Sequence, residues 1–528
     1  MIVSTDLFDL IRSLSKTEKS YFKRNSSTFS AVMSPSGGQP QVGSTARGGG
    51  GTNYLQLFDA ISAQDSYNEK ELIRQFKGEK FVRQFSVAKN YLYNRILDTM
   101  QAYHSSVLSE VHGLMNRSEY LFEKGLYKQA DKLLRMAEKI ARKHELHSIL
   151  ISIYELQKFD QAIKKREPQT AEKNIGWAQE ENILLNNHLA FLKLLAQTQH
   201  VYNLFGKTKN KKYLVAFKKI MSSPLLKEES RALTFNSKRR FYDIHAIYNS
   251  ILGNEENAYH FSKKIISLFD LNPEKKKNAA IRYAGYISNM LLFCHYLRKY
   301  TEMDGYLQKL IDIKSLLTSK YEKARLFQIY TTNYLSLYCT TGRFDVTEKI
   351  LPSIIAELPE HEKKLAPIDK FLIFGNIAIT FFGLEDYKNC LVWINKIRNE
   401  LPANTRPDLD SEIMLMNIIV HNELKHVELI PHLVTSYYRF LRKKELATKP
   451  EKYLMAFLRK LPGANTETKL THSMIQLKTQ LDTYKKKEGS NPDYTPFFFD
   501  IISWLESKIR KISFSGIIQE HIKNIKKN

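Results

Sequence analysis

The stretch FEKGLYKQADKLLRMAEKIA, residues 122–141, places one glycine between two helical patterns. Tyr127 follows Gly125 by two residues, and the small residues Ala130 and Ala137 lie seven apart on one face of the second pattern. Glycine tolerates a positive φ where a helix ends, and small side chains let two helices approach closely. The stretch therefore predicts a tightly packed antiparallel helix pair, whose remaining apolar face needs a neighbouring pair to cover it.

The same register recurs along the chain and selects one small or apolar anchor residue in each copy. From Tyr54 onward the apolar spacing is helical, and no run alternates as a β-strand does. The sequence thus predicts an all-α fold, a right-handed α-solenoid of about eight antiparallel helix pairs with helical N- and C-terminal caps. The anchors, 40 to 45 residues apart, are Ala130, Ala171, Ala216, Ala258, Met303, Thr347, Cys390 and Ile430.

Three of the copies share an asparagine at a fixed position in the first helix of the pair, and two of these also share an aromatic residue. Asn289, Asn333 and Asn376 each stand fourteen residues before the anchor of their copy, and Tyr338 and Phe381 follow two of them by five residues. With the glycine, aromatic and small-residue spacing described above, this pattern resembles the tetratricopeptide-repeat (TPR) family, whose consensus favours asparagine at that position. The family's tryptophan is absent, and the period exceeds its usual length of roughly 34 residues, so longer helices are expected.

The resemblance covers residues 110–445 and implies a concave groove lined by the first helices. Asn289, Asn333 and Asn376 are then the expected partner-binding residues, because a side-chain amide both donates and accepts hydrogen bonds. The same amides are equally suited to bridging neighbouring helices, since most buried polar groups are satisfied within a fold. The ending FDIISWLESKI resembles uncharacterised helical-repeat proteins of Bacteroidetes-type bacteria, which implies no activity.

Composition shifts divide the chain into five predicted segments. Ser15 to Glu18, SKTE, predicts a capping box near the N-terminus, and Pro496 predicts the first turn of a C-terminal helix with an apolar stripe that includes Trp504. The segments are 1–33, N-terminal helices; 34–52, a flexible Gly-rich linker; 53–109, an N-terminal helical cap; 110–445, the TPR-like array; and 446–528, a C-terminal helical cap.

The chain is basic, with 80 Lys and Arg against 55 Asp and Glu and a formal net charge of +25. Residues 207–219 and 70–95 combine basic and aromatic residues, which is typical of phosphate contact with base stacking. The alternative is a solvated face, because aromatics at helical spacing usually pack in a core. The candidate phosphate contacts are Lys207, Lys209, Lys211, Lys212, Lys218 and Lys219.

No motif for catalysis, a cofactor or a metal is complete in the sequence. FGKT at 205–208 lacks the first glycine of a P-loop, and no GxSxG or CxxC is present. His144 and His147 of HELH stand three residues apart instead of the four that zincins require, so we expect surface histidines near a helix end. His421, His426 and His432 are spaced so that they scatter around a helix. The sequence predicts a non-enzyme with no cofactor and no metal.

Localisation is predicted to be cytoplasmic. The three cysteines are few and far apart, and MIVSTDLFDL lacks a basic region before an apolar core. The most apolar stretch, FLIFGNIAITFFGL at 371–384, is shorter than the roughly 18 residues of a membrane span, which predicts a buried core helix.

Two functions from different classes remain open. The first is a non-catalytic scaffold that binds a peptide or helix of an unidentified partner protein in the groove. The second is a nucleic-acid- or ribosome-associated protein, or a transcriptional regulator whose N-terminal region binds DNA while the array acts as a sensor. Residues 1–109 suit either a cap or a DNA-binding unit, and the sequence does not indicate an oligomeric state.

Overall fold

The described part of the chain is built from α-helices. A computed structural model describes residues 5–25, 50–103, 106–163, 168–205, 211–317, 319–401, 407–444, 446, 449–461, 467–487 and 499–525. Within these ranges the helices are joined by turns and short 3-10 helices, and there is no β-strand. The prediction of an all-α fold is thus confirmed for the described residues. The Gly-rich segment 34–52 lies almost entirely outside them.

Residues 1–185 form the first of two compact units. Side chains of α1 to α5 share one apolar core, which contains Ile11, Phe22 and Phe58, and α6 to α8 share another. The predicted capping box is confirmed, because Glu18 N donates to Ser15 Oγ at 3.2 Å and Ser15 N donates to Glu18 Oε2 at 2.5 Å. The helices are α1 Asp6–Ser13, α2 Lys16–Asn25, α3 Gly50–Ala63, α4 Glu69–Gln75, α5 Phe85–Tyr103, α6 Val107–Glu123, α7 Tyr127–His144 and α8 His147–Ile163.

Residues 186–528 form the second unit, and the boundary falls inside α9, Pro168–Phe205. The predicted core helix 371–384 lies in α18, where Phe374, Ile377 and Phe382 are fully buried. The other helices are α10 Lys211–Met221, α11 Phe235–Ile251, α12 Glu255–Asp270, α13 Pro273–Asn278, α14 Ala280–Tyr296, α15 Tyr300–Ile313, α16 Lys320–Thr340, α17 Phe344–Glu362, α18 Pro367–Gly383, α19 Tyr387–Glu400, α20 Pro407–Glu423, α21 Ile430–Lys443, α22 Lys449–Leu458, α23 Glu467–Lys487, α24 Ile501–Arg510 and α25 Phe514–Ile525.

One turn geometry recurs between the two helices of each pair. A residue with positive φ stands two positions before the second helix, and the next residue's N–H donates to a carbonyl five residues back, as Arg343 N does to Tyr338 O at 2.8 Å. This is the Schellman arrangement, which satisfies the last carbonyls of a helix. It occurs at Gly125 in the first unit and at Gly253, Arg298, Gly342 and Glu385 in the second. At Lys425 the same turn precedes the 3-10 helix Val427–Leu429, and at Glu145 it joins α7 to α8.

The anchors occupy a constant place after this turn. Five of them are buried and are the fourth residue of their helix: Ala130, Ala258, Met303, Thr347 and Cys390. Ile430 is buried as the first residue of α21, whereas Ala216 is half-buried in α10 and the side chain of Ala171 in α9 lies outside the description. A constant place for the anchor holds the second helix close to the first.

In the second unit each helix pair contacts the following pair. The second helices α12, α15, α17 and α19 contact the first helices α14, α16, α18 and α20, respectively. First helices also contact each other, α14 with α16 and α16 with α18. Apolar surface that one pair leaves uncovered is therefore buried by its neighbour, and the largest core cluster runs through α16 to α25.

The C-terminal helices α24 and α25 lie against three successive turns of the array. Ser515 Oγ and Gln519 Nε2 both donate to the carbonyl of Gly342 at 2.7 Å. At the next turn the ring of Phe382 lies 5.3 Å from that of Phe514, measured between centroids. At the third turn, Trp504 Nε1 donates to a carboxylate oxygen of Glu423 at 2.9 Å.

The helix with the predicted C-terminal apolar stripe starts later than expected. It begins at Ile501, where Asp500 caps it by accepting from Ser503 N, so the predicted start at Pro496 is wrong. Pro496 itself lies outside the described residues. The aspartate side chain satisfies an N–H of the first turn, which is why the helix begins there.

Candidate functional site

The first helices of neighbouring pairs place one predicted groove asparagine, Asn333, against the residue that precedes another, Asn289. Asn333 Nδ2 of α16 donates to Ser288 Oγ of α14 at 2.8 Å and to Ile329 O of its own helix at 2.7 Å. Asn289 stands next to Ser288, is exposed, and makes no hydrogen bond within the part of the chain that the structure describes. Its amide is therefore available to a ligand, whereas that of Asn333 bridges two helices.

Asn376 differs from the other two asparagines. It is only 6% exposed, and its Nδ2 donates to Leu372 O one turn earlier in α18 at 2.7 Å. Because the Asn376 amide is buried and bonded to its own helix, it stabilises the fold and is not exposed to a ligand. We call the surface formed by Tyr286, Ser288, Asn289, Tyr330 and Asn333 the first-helix face.

Aromatic side chains border the first-helix face on α16. The rings of Tyr330 and Tyr334 are 5.4 Å apart and those of Tyr334 and Tyr338 are 4.6 Å apart, in tilted arrangements. Tyr338 donates to Asp304 Oδ1 at 3.0 Å, and the Arg343 guanidinium lies 4.8 Å from its ring centre. Burial raises the pKa of Tyr330 to about 12, so its hydroxyl remains a neutral hydrogen-bonding group at physiological pH.

A network of buried charges joins α11 to α14. Arg239 Nη1 donates to the Tyr286 hydroxyl at 2.5 Å, and that hydroxyl donates to Asp243 Oδ2 at 2.9 Å. The Nη atoms of Arg240 lie 3.3 and 3.4 Å from the ring nitrogens of His188 on α9. The network sets strong positive charge beside the first-helix face.

Burial and neighbouring cations change the ionisation of this network. Burial, followed by the charges of Arg239 and Arg282, lowers the pKa of Arg240 to about 10, which leaves it protonated at neutral pH. Burial also raises the pKa of Asp243 above its usual range, although Tyr286 and the arginines oppose that change. The carboxylate is thus a weaker counter-charge than an exposed aspartate would be.

A cavity of about 400 Å³ lies where α25 meets the turn between α16 and α17. Because α25 supplies part of its wall, the cavity depends on the C-terminal helices being in place. Two acidic and two basic side chains line it, so its charge is balanced. Its polar lining is Tyr300, Asp304, Tyr338, Thr341, Arg343, Asp345, Gln519 and Lys523.

The structure describes only part of the predicted basic site at 207–219. Lys207 and Lys209 lie outside the described residues, and Lys211 and Lys212 belong to α10, although their side chains are not described. Lys218 and Lys219 are exposed in the last turn of α10, where cations interact favourably with the helix dipole. Of the two aromatic residues in this run, Phe217 is 1% exposed and packs in the core instead of facing a ligand, and the side chain of Tyr213 is not described.

The histidines of HELH differ from expectation. His147 is only 6% exposed, and its Nδ1 lies 2.6 Å from Glu181 Oε2, while Arg142 lies 3.6 Å from the other oxygen of that carboxylate. The prediction of surface histidines is therefore wrong for His147. A buried carboxylate needs partners, and His147 and Arg142 supply them to Glu181 from the end of α7 and the start of α8.

Two of the histidines that were expected to lie on different sides of a helix, His421 and His426, are close together across a turn. His421 lies in the last turn of α20 and His426 follows the positive-φ residue Lys425, so that their Nδ1 atoms lie 2.9 Å apart. Burial, followed by His426, lowers the pKa of His421. Among the described residues no group of three or more histidines, cysteines or acids is arranged to hold a metal ion.

The thiols are buried. Burial raises the pKa of Cys294 to about 11 and that of Cys339 to about 12, which disfavours the nucleophilic thiolate. Cys390 is also buried, and burial raises its pKa further. The three cysteines therefore act as small apolar side chains of the helix interfaces.

None of the described helices is both long enough and apolar enough to cross a bilayer.

The chain matches no family model, and comparison with curated proteins and with solved structures gave no significant match.

Proposed function

We propose that the chain is a non-catalytic scaffold that binds a peptide or helix of a partner protein on the first-helix face. The observation that carries this proposal is the exposed, unbonded amide of Asn289 beside the contact between Asn333 and Ser288. An extended peptide presents both N–H and C=O groups, and one amide pairs with both. Half-buried tyrosines on either side offer contact area at low conformational cost.

The proposal includes the architecture that the face requires, a right-handed α-solenoid of about eight TPR-like helix pairs. Support comes from the Schellman turn that recurs in both units, and from the contacts between consecutive pairs in the second unit. Helices of 14 to 21 residues in the pairs α14–α15 and α16–α17 agree with a repeat longer than the usual one. The raised pKa values of the buried thiols support a role without nucleophilic catalysis.

Replacing Asn289 by alanine should weaken partner capture about tenfold, since one lost hydrogen bond to a polar ligand group has that effect. The free energy of unfolding of Asn289→Ala should differ from that of the unaltered protein by no more than about 0.5 kcal/mol, because the side chain is exposed. The measurement is affinity capture from nuclease-treated lysate, quantified by mass spectrometry against increasing bait concentration. The matched control is Asn395→Ala, an exposed asparagine on the second helix α19.

Asn333→Ala and Asn376→Ala separate the groove from the helix-bridging alternative. Both amides bond within the fold, so both variants should lower the free energy of unfolding by about 1 kcal/mol. If these two variants lose stability while Asn289→Ala captures the partner as the unaltered protein does, the asparagines stabilise the fold and the groove assignment is wrong.

A second candidate function, contact with nucleic acid, is favoured by one specific observation in the first unit. Five basic side chains of α4 and of the segment that joins α4 to α5 are exposed and make no ion pair within the described ranges. They are Lys70, Arg74, Lys77, Lys80 and Arg83. Unpaired cations on a short segment suit a phosphate backbone.

Neutralising three of these cations, as Arg74→Gln, Lys77→Gln and Arg83→Gln together, tests the second candidate. If the segment contacts phosphates, the slope of log affinity against log salt should fall by about 2 to 3. Fluorescence anisotropy with a labelled oligonucleotide measures this slope. The control neutralises three exposed lysines of α7, Lys128, Lys132 and Lys139, and an equal fall there would indicate net charge alone.

A further inference from the structure

Positive charge exceeds negative charge in the network between α11 and α14. Arg239, Arg240 and Arg282 lie near enough to one carboxylate, that of Asp243, for all three charges to act on it. Asp243 lies 3.9 Å from Arg239 as an ion pair, and neither Arg240 nor Arg282 has an ion pair among the described residues. The four side chains therefore carry a surplus of two positive charges.

The two central arginines are buried deeply for charged side chains. Arg239 is 4% exposed and Arg240 is 7% exposed, and the Nε atom of each is buried without a hydrogen-bond partner in the described structure. Arginine is almost never buried unless it is paired, because an uncompensated charge is costly away from water. Both guanidinium groups thus retain donors that an additional anion would satisfy.

The cluster reaches the surface on the side of α14. Arg282 is exposed and Asp243 and Tyr286 are half-buried, so the edge of the cluster borders solvent beside the first-helix face. The Tyr286 hydroxyl, held between Arg239 and Asp243, fixes the position of both. Such a pre-set arrangement lowers the entropy cost of binding.

We propose that this arginine cluster is a binding site for a phosphomonoester dianion. A phosphomonoester carries about 1.5 to 2 negative charges at neutral pH, which matches the surplus of the cluster. A carboxylate or a phosphodiester carries only one negative charge, so one of the two surplus positive charges would remain uncompensated. Guanidinium groups bind phosphate oxygens with two parallel hydrogen bonds, and they retain this ability because they stay protonated.

Two sources offer this chemistry, a phosphorylated side chain of a partner protein and a free phosphorylated small molecule. The first would deepen the scaffold proposal, whereas the second is independent of it. The site is therefore tested on the purified full chain without any partner, so that its failure leaves the first-helix face untouched. Failure of Asn289→Ala to alter capture would likewise leave the arginine site untouched.

The probes are inorganic phosphate, a phosphoserine peptide, its unphosphorylated twin and a single-stranded oligonucleotide. Binding is measured by isothermal titration calorimetry and by the shift in Tm at constant ionic strength. The test variants are Arg240→Met, which keeps an unbranched apolar side chain and removes the guanidinium, and Arg282→Ala at an exposed position. The control is Arg439→Ala, which removes one exposed arginine from α21.

Phosphate should raise the Tm of the unaltered protein and of the control, and Arg240→Met and Arg282→Ala should bind it about tenfold more weakly. Arg240→Met should match or exceed the unliganded Tm of the unaltered protein, because it removes an uncompensated buried charge. Tighter binding of the phosphoserine peptide than of both its twin and inorganic phosphate identifies a partner protein as the source. Equal binding of phosphate and phosphopeptide would show that the peptide flanks add no contact, which is the result expected for a small molecule.

Two results would overturn the assignment. The first is a Tm of the unaltered protein that phosphate does not change, or changes equally in Arg240→Met, Arg282→Ala and Arg439→Ala. The second is an oligonucleotide that binds more tightly than the phosphoserine peptide and loses affinity in the same two variants. The latter would assign the cluster to phosphodiesters and to the nucleic-acid function.

Discussion

Replacing Trp504 by alanine should lower the free energy of unfolding of the second unit by about 3 to 5 kcal/mol. Trp504 is 0% exposed, and its ring lies 6.4 Å from that of Phe457, so its removal leaves a large cavity. Its Nε1 also donates to Glu423 at 2.9 Å, and the carboxylate would lose that donor while Lys508 remains 2.6 Å away. Urea unfolding followed by circular dichroism measures the loss.

Two further variants separate the causes. Trp504→Phe keeps most of the apolar ring and removes the N–H, so it should cost about 1 to 2 kcal/mol. Trp177→Ala removes a tryptophan that is 40% exposed in the first unit, and it should leave the transition of the second unit unchanged. A loss below about 1 kcal/mol in Trp504→Ala would show that α24 adds little to the array, contrary to the packing of its core residues.

The helix pairs were predictable from sequence because their chemistry is local. The turn and the small residue that follows it at a fixed distance lie within about two turns of helix, so a short stretch of sequence contains both. Ala130, Ala258 and Cys390 are examples. Glycine gave only part of the turn signal. Arg298 and Glu385 adopt the same positive φ as Gly342, so helix packing, and not glycine alone, determines this turn.

Contacts between distant residues could not be predicted in the same way. The arginine network depends on Arg239 meeting Tyr286, 47 residues later, and a single arginine in a basic chain looks like part of a solvated face. Trp504 and Glu423 are 81 residues apart, and Gln519 and Gly342 are 177 apart. Such pairs leave no periodic pattern, because the fold and not the spacing brings them together. His147 was misjudged for the same reason, since its partner Glu181 lies on another helix.

The positions of the three predicted site asparagines in their helices could be predicted from the sequence, but their exposure could not. Their common place in the first helices was visible as a fixed distance from the anchors, and all three lie in first helices. Their exposure was not visible, because it depends on what covers each helix. Asn289 is exposed while Asn376 is 6% exposed, although both occupy the same position in their repeats.

Two glycines with nearly the same backbone conformation should respond differently to alanine. Gly253 has φ +74° and open space around the position of a Cβ, so Gly253→Ala should cost only the strain of the left-handed region, about 1 kcal/mol. Gly342 has φ +68°, and a Cβ there would lie 2.8 Å from the Ser515 carbonyl oxygen and 3.0 Å from Ile518 Cβ. Because a backbone atom cannot move aside cheaply, Gly342→Ala should cost about 3 kcal/mol.

The difference between the two variants measures how firmly α25 is held against this turn. The turns at Arg298, Glu385 and Lys425 accept side chains at φ 58° to 60°, so any cost of Gly342→Ala beyond that of Gly253→Ala arises from the contact with α25. Urea unfolding gives both free energies, and limited proteolysis should cleave α25 faster in Gly342→Ala alone, since the helix must shift to admit the Cβ. Equal free energies and equal cleavage would mean that α25 does not rest on Gly342 in solution. The cavity beside that turn would then be open to solvent on the side where α25 now supplies its wall.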